Sequence, residues 1–174
     1  MLHKMNIFYL DINPTTSAQM LCDKHIPKML LESCQMLSTA IRELQGDDEH
    51  LYKKAHPKHP STLWVQESPQ NFKWLYDHAM SIAKEYTKRY GKIHKSSRIL
   101  KYIQRKYCFK LKADSQYHTA PPQCMPDEYK EDVQAGGQYQ ARKAYRQFYI
   151  GEKSRFAKWE KGTSIPDFMK GASE

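Results

Sequence analysis

The stretch from Ser68 to Gly91 constrains the fold more than any other part of the chain. Ser68 is a helix cap, Pro69 suits the first helical position, and Gly91 suits the stop. Between them Phe72, Leu75, Tyr76, Ala79, Ile82, Ala83, Tyr86 and Tyr90 recur at helical spacing and make one apolar face. A helix of this length must bury that face, and the segments around it also read as helices. Asn13-Pro14-Thr15-Thr16 offers a turn and a cap, and a first long helix is expected from about Ser17 to Arg42. Ile26, Met29, Leu30, Leu37, Ala40 and Ile41 fall on one side of it, and His25, Lys28, Glu32, Gln35 and Thr39 on the other. Pro27 cannot donate to the carbonyl of Asp23, which predicts a kink or a break at that point.

Ser61 is positioned to cap a short helix carrying Leu63, Trp64 and Val65. Ser96-Ser97 can start another with Ile99, Leu100, Tyr102 and Ile103. A last helix is expected over about Gln138 to Trp159, with Gly151 as a weak point. Ile7-Phe8-Tyr9-Leu10 reads as a strand or an anchored amino-terminal segment. Residues 111–137, with Pro121-Pro122, Pro126 and Gly136-Gly137, read as irregular, and residues 162–174 as a loose tail. The expected fold class is all-α: a compact single-domain helical bundle with irregular loops over residues 1–174. A chain of 174 residues, 40% of them apolar, can bury one such core.

The formal net charge of +9 favours a polyanionic partner, nucleic acid first and an acidic membrane surface second. From Lys84 to Lys112 there are eleven Lys or Arg residues and one acid, Glu85, with Tyr86, Tyr90, Tyr102, Tyr107 and Phe109 interleaved. Cations suit phosphates and flat rings suit unstacked bases. Arg142 to Lys161 repeats the pattern around Tyr145, Phe148, Tyr149 and Trp159. Lys24, Arg89, Lys92, His94, Lys95, Arg98 and Arg146 are the expected DNA contacts. The four cysteines, Cys22, Cys34, Cys108 and Cys124, show no close CxxC pairing. With no signal-like run at Met1–Asn6 and no stretch of membrane-spanning length, the expectation is a reducing cytoplasm and no membrane.

The candidate chemistry lies in Cys22-Asp23-Lys24-His25-Ile26-Pro27-Lys28-Met29-Leu30-Leu31-Glu32. His25 and Glu32 are seven residues apart, two helical turns, with Lys28 between them on one helix face. An imidazole, an ammonium and a carboxylate in one column can hold a substrate and move a proton. A glycosylase develops an oxocarbenium that a carboxylate stabilises, a role open to Glu32. His25 could hold a phosphate or the sugar, and Lys28 or Lys24 could supply an amine for a Schiff base. The same residues could instead be an ordinary helical ion pair beside a surface or satisfied histidine. Cys22, His25, His56 and His59 could converge on a metal, although a proline- and histidine-containing basic loop is more often only a loop. No metal or other cofactor is expected. A non-enzymatic nucleic-acid-binding protein needs only the basic faces. A base-modifying transferase would need a donor, and no glycine-rich phosphate loop is present to hold one.

Asp23-x-His25 followed by Glu32 resembles the opening-helix signature of the bacteriophage pyrimidine-dimer DNA glycosylases of the endonuclease V type. Tyr145-Arg146-Gln147-Phe148-Tyr149-Ile150-Gly151 is similar in character to that family's aromatic carboxy-terminal run. The resemblance implies a compact all-α protein that flips bases out of duplex DNA and cleaves at cyclobutane dimers. Glu32 would be the catalytic carboxylate, His25 its site neighbour and Asp23 a structural partner. The family's nucleophile is the α-amine of a threonine exposed when the initiator methionine is removed. Here Leu2 follows Met1, and a start at Met5 would leave Asn6. The resemblance therefore leaves three routes: a lysine replaces that amine, the enzyme activates water and lacks lyase activity, or the site serves another reaction on DNA. His56-Pro57-Lys58-His59 and Tyr90-Gly91-Lys92-Ile93-His94-Lys95 are similar instead to uncharacterised phage-encoded proteins, from which no biochemistry transfers.

Overall fold

A computed structural model describes residues 5–171. Residues 1–4, with the Leu2 on which the question of the nucleophile turns, and residues 172–174 lie outside it. Six α-helices appear in the order α1 (Pro14–Met20), α2 (His25–Gln45), α3 (Pro60–Glu67), α4 (Pro69–Tyr90), α5 (Ser97–Lys106) and α6 (Gln138–Phe148). Among the described residues there is no strand, and the fold is all-α. No described helix is long and apolar enough to cross a membrane.

The central helix α4 follows its sequence signals. Ser68 Oγ accepts from the Asn71 N–H at 3.1 Å, Pro69 opens the helix, and Gly91 closes it in the left-handed conformation at φ 70°. α1, α2 and α3 all pack against it. α3 is capped by His59 rather than Ser61. The His59 ring accepts from the Ser61 N–H, and Pro60 takes the first position.

The expected first helix is two helices. α1 stops at Met20, Leu21 turns extended at ψ 140°, and α2 begins at His25. The break thus precedes Pro27, the third residue of α2, whose missing N–H would have had no acceptor within the helix. Arg89 closes the break. Its guanidinium donates to the carbonyls freed at the end of α1, Leu21 at 2.6 Å and Gln19 at 2.9 Å, and to Asp23 at 3.2 Å.

α2 is buried on more than its apolar stripe. Residues 5–10 are buried and belong to no helix or strand, so their polar groups are met one by one. Asn6 N–H donates to Glu32, Phe8 N–H to the Asn6 side chain, and Leu10 N–H to Ser17. The Leu10 carbonyl accepts from Arg146 at 2.8 Å. Phe8 adopts φ 52°, a conformation that costs a non-glycine residue energy and that this set of contacts holds in place.

The last helix also differs from expectation. α6 passes at Phe148 into a π turn, Tyr149–Lys153. Gly151 is needed there because a Cβ would lie 2.5 Å from the Tyr129 ring. The stretch 162–171 is mostly exposed and is anchored at a few points. Met169 is 3% exposed, and Thr163 donates to Glu85 at 2.7 Å.

Candidate active site

Glu32 lies two turns inside α2 and is 6% exposed. Its Oε1 accepts from the Asn6 N–H at 3.0 Å. Burial pushes its pKa up to about 7, against the opposing pull of the Asn6 N–H and of Lys28 one turn earlier. A carboxyl held near neutrality can exchange its proton at working pH, which an ordinary surface glutamate cannot.

His25 is 4% exposed, with its ring stacked on Phe8 at 4.5 Å between centroids and edged by Phe156 at 5.6 Å. The Tyr149 hydroxyl accepts from the Cys22 N–H at 3.0 Å and lies 2.8 Å from His25 Nδ1. This short contact is a hydrogen bond in which either the hydroxyl or Nδ1 can donate, according to the ring tautomer. Burial and the nearby Lys153, Lys28 and Lys24 push the His25 pKa down to about 3. Expected to hold a phosphate or the sugar, the ring here meets Tyr149, Phe8 and Phe156. It braces the start of α2 against Phe8 and Tyr149.

Asp23 is structural. Its carboxylate pairs with Arg89 at 3.2 Å and accepts from the Glu160 N–H at 2.8 Å. Its backbone bonds Lys158 at 2.9 Å and Tyr90 at 2.7 Å. A strap of residues 156–161 thereby crosses the α1–α2 break and brings a second set of cations to the site.

The expected DNA contacts divide. Lys24, Lys28, Lys92 and Lys95 are exposed around the start of α2. Lys24 Nζ sits 4.7 Å from the Phe156 ring centre. Arg89 is not available to a phosphate: it is 6% exposed and paired with both Asp23 and Glu85. Arg146 is held by Leu10 and by Asp11 at 3.1 Å. Arg98 lies over Tyr52 and donates to the His50 carbonyl. His94 is half-buried, accepts from the Ser96 N–H and lies near the Pro27 carbonyl. The tyrosines are not open stacking platforms either. Tyr102 and Tyr107 both donate to buried Asp48 at 2.7 Å, and Tyr86 stacks on Tyr90. Charge along a sequence does not distinguish a solvated cation from one that holds the fold together.

Lys153 was read only as part of a basic stretch, and the structure places it beside the rings that pack around His25. It is half-buried on the π turn, its ammonium 4.9 Å from the Phe148 ring centre and 5.7 Å from that of Phe8, the ring stacked on His25. Burial, and then Lys28, push its pKa below the usual lysine value. The aromatic run of residues 145–149 was the one signal for it.

A family model described as pyrimidine dimer DNA glycosylase matches residues 5–98, more than half of the chain. The chain belongs to the pyrimidine dimer DNA glycosylase family. Searches of curated proteins and of solved structures give no match. Membership carries a function of DNA glycosylase type in DNA repair, with DNA as substrate. The matched stretch holds Asn6, Asp23, His25, Glu32 and the turn after α4. Tyr149, Lys153 and the 156–161 strap lie beyond it and are brought close to His25 by the fold. The metal reading is not supported: among the described residues no group of three or more His, Cys, Asp or Glu is placed to hold an ion.

Proposed function

We propose that this glycosylase removes a damaged pyrimidine flipped out of double-stranded DNA and then cuts the strand at the abasic site. The observation that carries the reading is the buried Glu32 carboxyl, titrating near neutrality beside exposed Lys24 and Lys28. The lysines would take the phosphates. Glu32, as carboxylate, would stabilise the positive charge that develops on the sugar as the base leaves.

For the second step we assign the amine to Lys153. The nitrogen nearest Glu32 is the Asn6 peptide N–H, which is not a nucleophile. Lys153 has the burial and like-charge neighbours that keep an amine unprotonated more of the time. Its Nζ would condense with the C1′ aldehyde and release water. Loss of a C2′ proton would expel the 3′ phosphate, and hydrolysis of the imine would return the amine.

The test is incubation of end-labelled duplexes carrying a thymine dimer, uracil or an abasic site, with and without borohydride. The expected result is cleavage at the dimer and a trapped adduct that maps to Lys153. Lys153→Met should still release the base but lose the adduct and the cleavage. An adduct on an exposed Asn6 α-amine would mean that a shortened chain uses the family's amino-terminal chemistry. Base release with no adduct on any substrate would remove the lyase step.

A further inference from the structure

Ile93 is 73% exposed, the most exposed large apolar side chain among the described residues. It occupies the turn after α4, between the exposed Lys92 and Lys95. An isolated exposed isoleucine is unremarkable on a surface. Here the turn beneath it is held from several sides. Gly91 sets its entry in the left-handed region, with its N–H bonded to Thr87 at 2.9 Å. His94 accepts from the Ser96 N–H at 3.0 Å, lies near the Pro27 carbonyl, and meets the Tyr86 ring edge-on at 4.8 Å. One residue before the turn, the Tyr90 hydroxyl donates to the Asp23 carbonyl at 2.7 Å. These contacts set the turn beside Pro27 and the start of α2. Glu32 lies five residues further along that helix, about 8 Å down its axis.

We propose that Ile93 is a wedge that enters the base stack of duplex DNA and holds it open while the damaged nucleotide turns toward Glu32. This rests on the base-excision reading above. Extruding a nucleotide costs a few kcal/mol of stacking and pairing. An apolar side chain pushed between base steps fills the gap and kinks the duplex, and isoleucine is one of the residues used in this way. A wedge must be rigid, bare and flanked by cations that grip the phosphates on either side. The anchored turn, the exposed side chain and Lys92 with Lys95 meet those three needs. The β-branched side chain has few rotamers to lose on insertion.

The experiment compares Ile93→Ala with the wild type under single-turnover conditions on two DNAs. One carries a thymine dimer in a fully paired duplex, and the other carries the same dimer within an unpaired bubble. The alanine variant should excise from the paired duplex at least about tenfold more slowly and from the bubble within about twofold of wild type. Its melting temperature should be unchanged, because the side chain is exposed. A 2-aminopurine opposite the dimer should brighten on binding to wild type and much less with the variant. Equal rates on the paired duplex would overturn the proposal, as would an equal loss on both DNAs. Should the wild type release no base from either DNA, the excision reading falls and the wedge with it.

Discussion

Glu32→Gln should reduce base release by about a thousandfold or more while leaving DNA affinity unchanged or slightly higher. The amide keeps the acceptor that holds the Asn6 N–H and removes only the charge. The same variant should be more stable than the wild type. The Glu32 pKa rises from an ordinary 4.5 to about 7 on folding, so the folded protein holds a proton that the unfolded chain releases. Stability from this group is therefore present at low pH and lost as pH rises through about 7. At pH 8 the glutamine should add roughly 1–3 kcal/mol, and near pH 4 the difference should vanish. Chemical denaturation at the two pH values, run beside the excision assay, measures both effects. Gain of stability with loss of turnover is the signature of a site kept at a cost to the fold. A non-enzymatic DNA-binding protein would show the first without the second.

Arg89→Met should lower stability by about 3–5 kcal/mol, because it leaves two buried carboxylates without their cation. Those carboxylates are Asp23 and Glu85, and the same guanidinium closes the end of α1 through Leu21 and Gln19. Arg89→Lys should recover little, since one ammonium cannot span that fan of acceptors. A shift of the denaturation midpoint reads this directly. A residue that merely touched DNA would behave differently. Its loss would leave the midpoint in place and reduce the salt dependence of DNA binding by about one unit of slope.

Arg89 also marks where reading the chain stopped working. Helix α4 was legible because its signals are local: a serine cap, a proline at the first position, a terminal glycine and a regular apolar face. The column of His25, Lys28 and Glu32 was legible for the same reason, since seven residues along a helix is a geometric statement. What surrounds that column was not. Glu32 is buried by residues 5–10, and His25 by Phe8 and Tyr149, all brought in by tertiary contacts with no sequence period. The break that Pro27 announced before α2 is closed by an arginine about seventy residues away. Lys153 reaches the rings around His25 through a π turn that requires Gly151 beneath the Tyr129 ring. Lys24, Lys28, Lys92 and Lys95 remain at the surface, whereas Arg89 and Arg146 are drawn into the fold because guanidinium can satisfy several carbonyls at once. His94 turns inward against Ser96 and Tyr86, which leaves its neighbour Ile93 as the prominent side chain there.

The account stands on Glu32 acting as a carboxylate inside a buried, lysine-flanked site. Its most direct test is the pH dependence of single-turnover base release from a dimer-containing duplex at saturating enzyme. Release should rise with pH and level off, with a midpoint at about 7, and the Glu32→Gln variant should stay low and flat. A rate already maximal by pH 5.5, or the same profile in the glutamine variant, would contradict it.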